Sequence, residues 1–368
     1  MTTTLACARE ERDAHLREII RWHFSEETGC PFWLEQKQKM TFDPIEKIQG
    51  LDDLVQYFEN FNGDLHLRKV PAKKWKPKGF KDCIAWSMFM TGGTTGEPKR
   101  RWGRIGYGKD ESDYGWDYHT FSESLPAEGF PEGGSCLYIG PGGPRRLPLG
   151  VEVLARIRKA GFNKVDMDVA WMKDSNNTST KAYKDELVRR AIGAIRRDEP
   201  DWIFCPPVLI EAIGEVIDWT TTSVKGVFAG GTEMDPETIR NITEELFKGK
   251  IHLVPTYGNA LVGLARPRTV ATFSKPIEGQ RPYSVIYQAL QPHTLLRVTK
   301  RENSRELVNY GERGFVEITT ATKEWFMPRF RERDMAERVE PTDAYPWDGV
   351  AEVGPPPEDR ATLKKGVY

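Results

Sequence analysis

Between Leu137 and Val254 the chain alternates short β-forming runs with helical patterns, and this alternation constrains the fold more than any other feature. Strands are expected at Leu137–Ile139, Val165–Val169, Trp202–Cys205, Val224–Phe228 and Ile251–Val254. Helices are expected at Val151–Lys159, Ala182–Arg197 and Val208–Ile217, and from Asp235-Pro236, a cap followed by proline, to Gly249. Tyr183, Leu187, Ala191, Ile192 and Ile195 share one face of the second of these. Apolar strands separated by amphipathic helices bury both faces of a sheet, so the fold class is α/β, with layered sheets covered by helices. Beyond Pro267, Val285–Gln288, Leu295–Val298 and Gly314–Thr319 have strand character with no crossover helix between them, which predicts a small antiparallel β subdomain near the C-terminus. The expected organisation is a helical and connector region over 1–80, an α/β core over 81–265, a β-rich subdomain over 266–344 and an irregular tail over 345–368. The first region opens with a helix carrying Leu5, Ala8, Leu16, Ile19, Ile20 and Phe24, stopped by Gly29 and Pro31.

Composition removes several classes of function. Fifty-three Lys and Arg against 54 Asp and Glu leave a net charge of −1, so no global field draws the chain to nucleic acid. The basic stretch Lys73–Lys81 reads as a solvated connector. No apolar run approaches the ~18 residues of a membrane span, and Met1–Arg12 lacks the pattern of a secretion signal; no membrane partner and a cytoplasmic location are expected. Five cysteines, none closer to another than 23 residues, read as reduced core residues rather than a disulfide framework. Six scattered histidines form no helical metal pair.

Chemistry concentrates at Met90-Thr-Gly-Gly-Thr-Thr-Gly-Glu-Pro-Lys99, which comes directly after the apolar run Cys83–Met90. Glycines let backbone N–H groups approach an anion, threonine hydroxyls add donors, and Lys99, Arg100, Arg101 and Arg104 add positive charge, a combination that suits a polyphosphate. The loop is not of Walker type, because Pro98 precedes the lysine and no helix pattern comes after it. As a loose pattern it reads equally well as a hairpin turn. Gly140-Pro-Gly-Gly-Pro144, with two prolines, reads as a structural turn lacking strand and helix context.

The literal string Thr91–Lys99 resembles the phosphate loop of the adenylate-forming superfamily, which includes acyl- and aryl-CoA ligases, peptide-synthetase adenylation domains and luciferases. Three further stretches occur in that family's order. Gly231-Thr-Glu233 is similar to the element lying along the adenine, Tyr257-Gly258 to the start of the motif whose tyrosine stacks on it, and Phe330-Arg-Glu-Arg-Asp334 to the motif whose aspartate holds the ribose hydroxyls. The resemblance spans about residues 81 to 334 and is closest to the phenylacetate–CoA ligase branch. It implies nucleotide contacts from Thr91, Gly92, Gly93, Gly96, Gly231, Thr232, Glu233, Tyr257, Gly258 and Asp334, with Thr94, Thr95 and Lys99 acting in catalysis. It implies an acyl pocket lined by Val208, Ile213, Ala229, Gly230, Ala260 and Leu261, with Val262 beside them. Taken singly, Tyr257 reads as a core aromatic, Glu233 as a helix-leading carboxylate, Asp334 as one charge in a charged run and Ile213 as core packing.

Two departures qualify the resemblance. Where the family has a hydroxyl and a magnesium-holding glutamate after its Tyr-Gly, this chain has Ala260 and Leu261, so Mg2+ is expected to be weakly held. Only 34 residues lie beyond Asp334, where the family continues into a C-terminal domain supplying a catalytic lysine, a role Lys364 or Lys365 could take. The implied activity is ATP-dependent conversion of an aromatic carboxylic acid to acyl-AMP, without CoA ligation by the isolated chain, for a downstream biosynthetic reductase or transferase. The chain is similar in this respect to truncated adenylate-forming proteins of phenazine antibiotic biosynthesis. The alternative is a degenerate nucleotide- or substrate-binding carrier or scaffold. Association as a homodimer is left open.

Overall fold

The computed structural model describes residues 3–81, 85–91, 96–168 and 178–358. The chain divides into two compact units that are not consecutive blocks of sequence: Met1–Asp113 with Leu261–Gly263 and Gln288–Pro356, and Tyr114–Ala260 with Leu264–Tyr287 and Pro357–Tyr368.

In the first unit, helix Thr3–Phe24 buries Ala8, Leu16, Ile19, Ile20 and Phe24, the spacing its sequence predicts. Phe24 enters an aromatic cluster with Trp33, Phe58 and Phe326, and Phe32 stacks on Trp75 with ring centroids 3.9 Å apart. Trp75 is buried, and Lys76 lies 4.0 Å from the centroid of the Trp102 ring, so the basic stretch expected to be a solvated connector is pinned by ring packing. Strands β1 (Trp86–Met90) and β2 (Arg100–Arg104) form an antiparallel hairpin.

The second unit is built on β3 (Ser135–Pro141), β4 (Gly161–Met167), β5 (Trp202–Phe204), β6 (Gly226–Ala229) and β7 (His252–Pro255), all parallel, in the order β4-β3-β5-β6-β7. Cys136–Pro141 and all of β5 and β6 are buried, as strands covered on both faces must be. The intervening helices are Arg146–Ile157, Thr178–Asp198, Pro207–Gly214 and Pro236–Arg240. The first begins five residues before its expected start, because Pro148 fits a first helical turn. The third ends at Gly214, short of Ile217. In the last, Asp235 accepts from the Thr238 N–H at 2.8 Å, the cap its sequence announces. Short strands β8 (Tyr257–Asn259), β9 (Gly263–Pro267) and β10 (Ile286–Ala289) come next in the chain.

The first unit closes with an antiparallel sheet of β11 (Thr294–Thr299), β12 (Arg313–Ala321), β13 (Phe326–Val339) and β14 (Gly349–Gly354). Two of these correct the sequence reading. β13 runs through the charged stretch 329–338, and β14 lies inside the tail expected to be irregular. Charge hides β13 because its partners are distant in sequence. Arg329, fully buried, donates to Glu317 at 3.0 Å, to the carbonyls of Val55 and Phe58 at 3.0 and 2.6 Å, and to the Ser304 carbonyl at 2.9 Å. Arg297 also pairs with Glu317. Of the described cysteines, Cys30, Cys136 and Cys205 are buried, and burial pushes the Cys30 thiol up to about 12, whereas Cys7 is exposed, contrary to a core role. No helix among the described residues is long and apolar enough to cross a membrane.

A second buried polar group fixes the hairpin. Arg101 meets Asp113 at 2.8 Å, the Thr322 hydroxyl donates to Asp113 at 2.6 Å, and Glu324 accepts from the N–H groups of Arg104 and Asp113, both at 3.0 Å. Burial, reinforced by the nearby Asp113 charge, pushes the Glu324 carboxyl from 4.5 up to about 8. His23, buried against the Thr322 carbonyl at 2.7 Å, is pushed by burial from 6.5 down to about 4.

The two shifts act in opposite directions, over windows that overlap between 4.5 and 6.5, so above 6.5 the Glu324 effect stands alone. Folding raises the Glu324 pKa, so the folded chain binds more protons than the unfolded one and stability falls as pH rises from 4.5 to about 8. Folding lowers the His23 pKa, so the stability it contributes is lost as pH falls from 6.5 to about 4. Thermal melting measured across pH should show the midpoint declining through the neutral range, and Glu324→Gln should flatten that decline; an unchanged slope would contradict the assignment. Arg329→Met strands carbonyls and weakens a buried ion pair, and should lower the unfolding free energy by about 3 kcal/mol in denaturant titration. A loss under about 1 kcal/mol, the level of an exposed pair, would count against the network.

Candidate functional site

The Gly/Thr loop connects β1 to β2 in the first unit. Its mouth is closed by two bonds: the Thr91 N–H donates to the Lys99 carbonyl at 3.0 Å and the Lys99 N–H to the Thr91 hydroxyl at 3.0 Å. Gly92, Gly93, Thr94 and Thr95 lie outside the described residues, as do Cys83, Lys364 and Lys365. Gly96 has φ +131°, a conformation glycine adopts without cost, and a Cβ there would sit 3.1 Å from Arg68 Nη1. Lys99 Nζ is 3.0 Å from the Asp64 carboxylate and 5.8 Å from the centroid of the Phe330 ring. Its hydrogen bond to Lys99 holds the Asp64 carboxyl below the usual range, with Arg68 and Arg333 adding to the effect.

Phe330 belongs to β13, so this unit brings the first and last of the four motifs together. Phe315 pairs with Met335 and Glu317 with Arg331, so three residues, Glu332–Asp334, oppose Val316 alone. Such a bulge re-aims side chains. Asp334 sits in it, half-buried.

The second unit brings the other two motifs together at the carboxyl edge of its parallel sheet. Ala229 ends β6 opposite Pro255 of β7, and the Thr256 N–H and hydroxyl both donate to the Ala229 carbonyl, at 2.7 and 3.0 Å. Gly230 is buried behind them, and Gly231 turns the chain with φ +97°. The Thr232 hydroxyl is buried and has no hydrogen-bond partner, while Glu233 is exposed. Tyr257 is half-buried, 5.8 Å from the Tyr287 ring, and Gly258 and Ala260 are half-buried beside it in sequence. A turn with an orphaned buried hydroxyl fits a polar ligand, since an unmet buried hydroxyl costs about 1–3 kcal/mol.

Of the expected acyl-pocket residues, Ala229 is buried and Val208 is 37% exposed on the first turn after β5. Ile213 is fully buried on the helix after β5. Leu261 is buried, and its carbonyl accepts from Arg101 at 2.6 Å, with Val262 buried next to it.

Gly140–Pro144 also needs correction. β3 runs to Pro141 and a helix begins at Arg146, so the segment has the strand, turn and helix context denied it by its prolines. The strand order reverses between β3 and β5, and at such a switch point the edge of an open α/β sheet forms a crevice. Sequence reasoning missed Gly142, Gly143 and Arg145 at this position. The signal present was a glycine pair between a buried strand and an amphipathic helix.

Among the described residues no cluster of three His, Cys, Asp or Glu is placed to hold a metal. Leu261, where the resemblance implies a magnesium-holding glutamate, has no side-chain oxygen to offer.

No family model matches the chain, and no curated protein matches it. Solved structures do. An open conformation of 2-hydroxyisobutyryl-CoA ligase in complex with 2-HIB-AMP and CoA is similar with TM-score 0.67 and 13% identity, over 94% of this chain and 73% of that one. The same ligase in its postadenylation state gives TM-score 0.68 and 12% identity over 96% and 69%, and in its thioesterification state 0.66 and 13% over 95% and 67%. At these identities the likeness establishes the architecture alone: the chain shares the fold of that ligase, with a helix-flanked parallel sheet and an antiparallel sheet region.

Proposed function

We propose that the protein activates a carboxylic acid with ATP, forming acyl-AMP and pyrophosphate. What carries this reading is the pairwise meeting of the four motifs: Lys99 against Phe330 of the strand that bears Asp334, and Gly231–Thr232 beside Thr256-Tyr257. The fold shared with a ligase described in complex with an acyl-AMP supports it.

In this reading a carboxylate oxygen attacks the α-phosphorus, the bond from that phosphorus to the pyrophosphate oxygen breaks, and its electron pair leaves with pyrophosphate. Lys99 offsets charge on the leaving group, together with Thr94 and Thr95, because fixed donors stabilise charge where it develops. Tyr257 presents an aromatic face to the adenine, Asp334 accepts from the ribose hydroxyls, and the Thr232 hydroxyl gains its missing partner from the nucleotide. ATP enters as its magnesium complex, the metal being part of the substrate. Ala229, Gly230 and Ala260 leave small apolar walls, which suit a flat aromatic acid such as a phenazine carboxylate. The activated acid then passes to a downstream reductase or transferase.

Leu261, without a carboxylate, favours a second reading in which the chain binds nucleotide but performs no chemistry. Pyrophosphate exchange separates the two. It should depend on an added aryl carboxylate, and exceed exchange with short aliphatic acids. Asp334→Asn and Tyr257→Ala should each raise the KM for ATP about tenfold, a hydrogen bond to a charged group being worth about 1.5–3 kcal/mol and the stacking of a base on an aromatic ring about 1–3 kcal/mol. ATP binding by calorimetry with no exchange for any acid would establish the second reading. Aliphatic preference would remove the aromatic assignment.

A further inference from the structure

Arg68 lies outside every motif that suggested a nucleotide, yet it is the cation lying closest against the described end of the loop. Its Nη1 is 3.1 Å from where a Cβ on Gly96 would stand, and its side chain is only 18% exposed. Its backbone is fixed as well: the Arg68 carbonyl accepts from Arg100 Nη2 of β2 at 3.0 Å. The helix that carries it, Gly63–Lys69, is capped by the Asn62 side chain, which accepts from the Leu65 N–H at 2.9 Å.

Two cations converge at this place. Asp64, itself 63% exposed, meets Arg68 at 3.3 Å and Lys99 at 3.0 Å, and Lys99 is also only 18% exposed. Arg333 of β13 acts on the same carboxylate. Convergent cations against the end of a loop suit a ligand that carries several negative charges, with oxygens that match a planar guanidinium.

We propose that Arg68 is a phosphate-binding residue for the β- and γ-phosphates of a nucleoside triphosphate, working beside Lys99, with Asp64 holding both cations in place until the nucleotide arrives. This inference rests on the adenylating reading and adds to it a residue that none of the four motifs contains. A guanidinium bound to the outer phosphates discriminates ATP from AMP, whereas Tyr257 and Asp334 meet both nucleotides alike.

The test is calorimetric titration of the full chain with MgATP and, separately, with AMP, for the unsubstituted protein, Arg68→Met and Arg68→Lys, with thermal melting of each. Arg68→Met should weaken MgATP binding at least tenfold and leave AMP binding within twofold. Arg68→Lys should fall between, because it keeps the charge and loses the fork. Raising the ionic strength should weaken MgATP binding less in Arg68→Met than in the unsubstituted protein. Equal weakening of both nucleotides, or unchanged MgATP affinity in a folded variant, overturns the role of Arg68 while leaving the adenylating reading intact. Failure of the unsubstituted protein to bind MgATP overturns both.

Discussion

The buried pairing of Arg329 with Glu317 is the interaction on which the grouping of motif residues in the first unit depends. Arg329 is held from helix Leu51–Tyr57, from the turn at Ser304 and from β12, and it stands one residue before Phe330. With φ +51° it takes a backbone conformation that a non-glycine residue adopts only when its surroundings over-determine it. Its own carbonyl returns the tie by accepting from the Phe61 N–H at 3.1 Å and Asn60 Nδ2 at 2.9 Å. Asn60 and Phe61 lead directly into the helix bearing Asp64 and Arg68, so one guanidinium sets the registry between β13 and the cations of the loop. A buried pair of this kind adds little net stability over an apolar replacement, and its contribution here is geometric.

The second unit reaches the same end by topology. Its parallel strands β3, β5 and β6 are buried from Cys136 onward because both faces are covered, with the Tyr138 hydroxyl turned onto the Pro141 carbonyl at 2.8 Å. Polar function is therefore confined to the segment just beyond the end of each strand, where backbone groups are no longer consumed by the ladder. Ala229–Thr232 and Thr256–Tyr257 are such continuations, and the double donation from Thr256 to Ala229 locks one to the other.

The parallel sheet was legible in the sequence because buried parallel strands are continuous apolar runs, as in Cys136–Ile139 and Trp202–Phe204, and neither needs a distant residue to explain it. The cap at Asp235 was legible for the same reason. β13 was not, since Arg329 and Arg331 look solvated until Glu317 and the Lys300 and Arg301 carbonyls are brought to them. Glu324 escaped notice likewise, its partner lying 211 residues away, and Arg101, read as one of the positive charges of the loop, is buried on Asp113 and on the Leu261 carbonyl 160 residues away. Of the candidate site, Lys99, Gly231 and Tyr257 come from the motif strings, each a local signal. Arg68 and Asp64 carry no string at all, and only the packing of their short helix against the hairpin brings them to the loop. Gly140–Pro144 reads as a structural turn only while its two prolines are weighed above the strand and helix on either side.

The central claim is that a carboxylate oxygen of the acid becomes bonded to the α-phosphorus of ATP. Oxygen-18 tracing tests it directly: the protein is incubated with MgATP and an aryl carboxylic acid labelled in both carboxyl oxygens, and the AMP released after hydrolysis of the product is weighed by mass spectrometry. Water attacks an acyl adenylate at the acyl carbon and leaves the bridging oxygen on phosphorus, so the account predicts AMP carrying one oxygen-18. Unlabelled AMP, or ADP in its place, would contradict it.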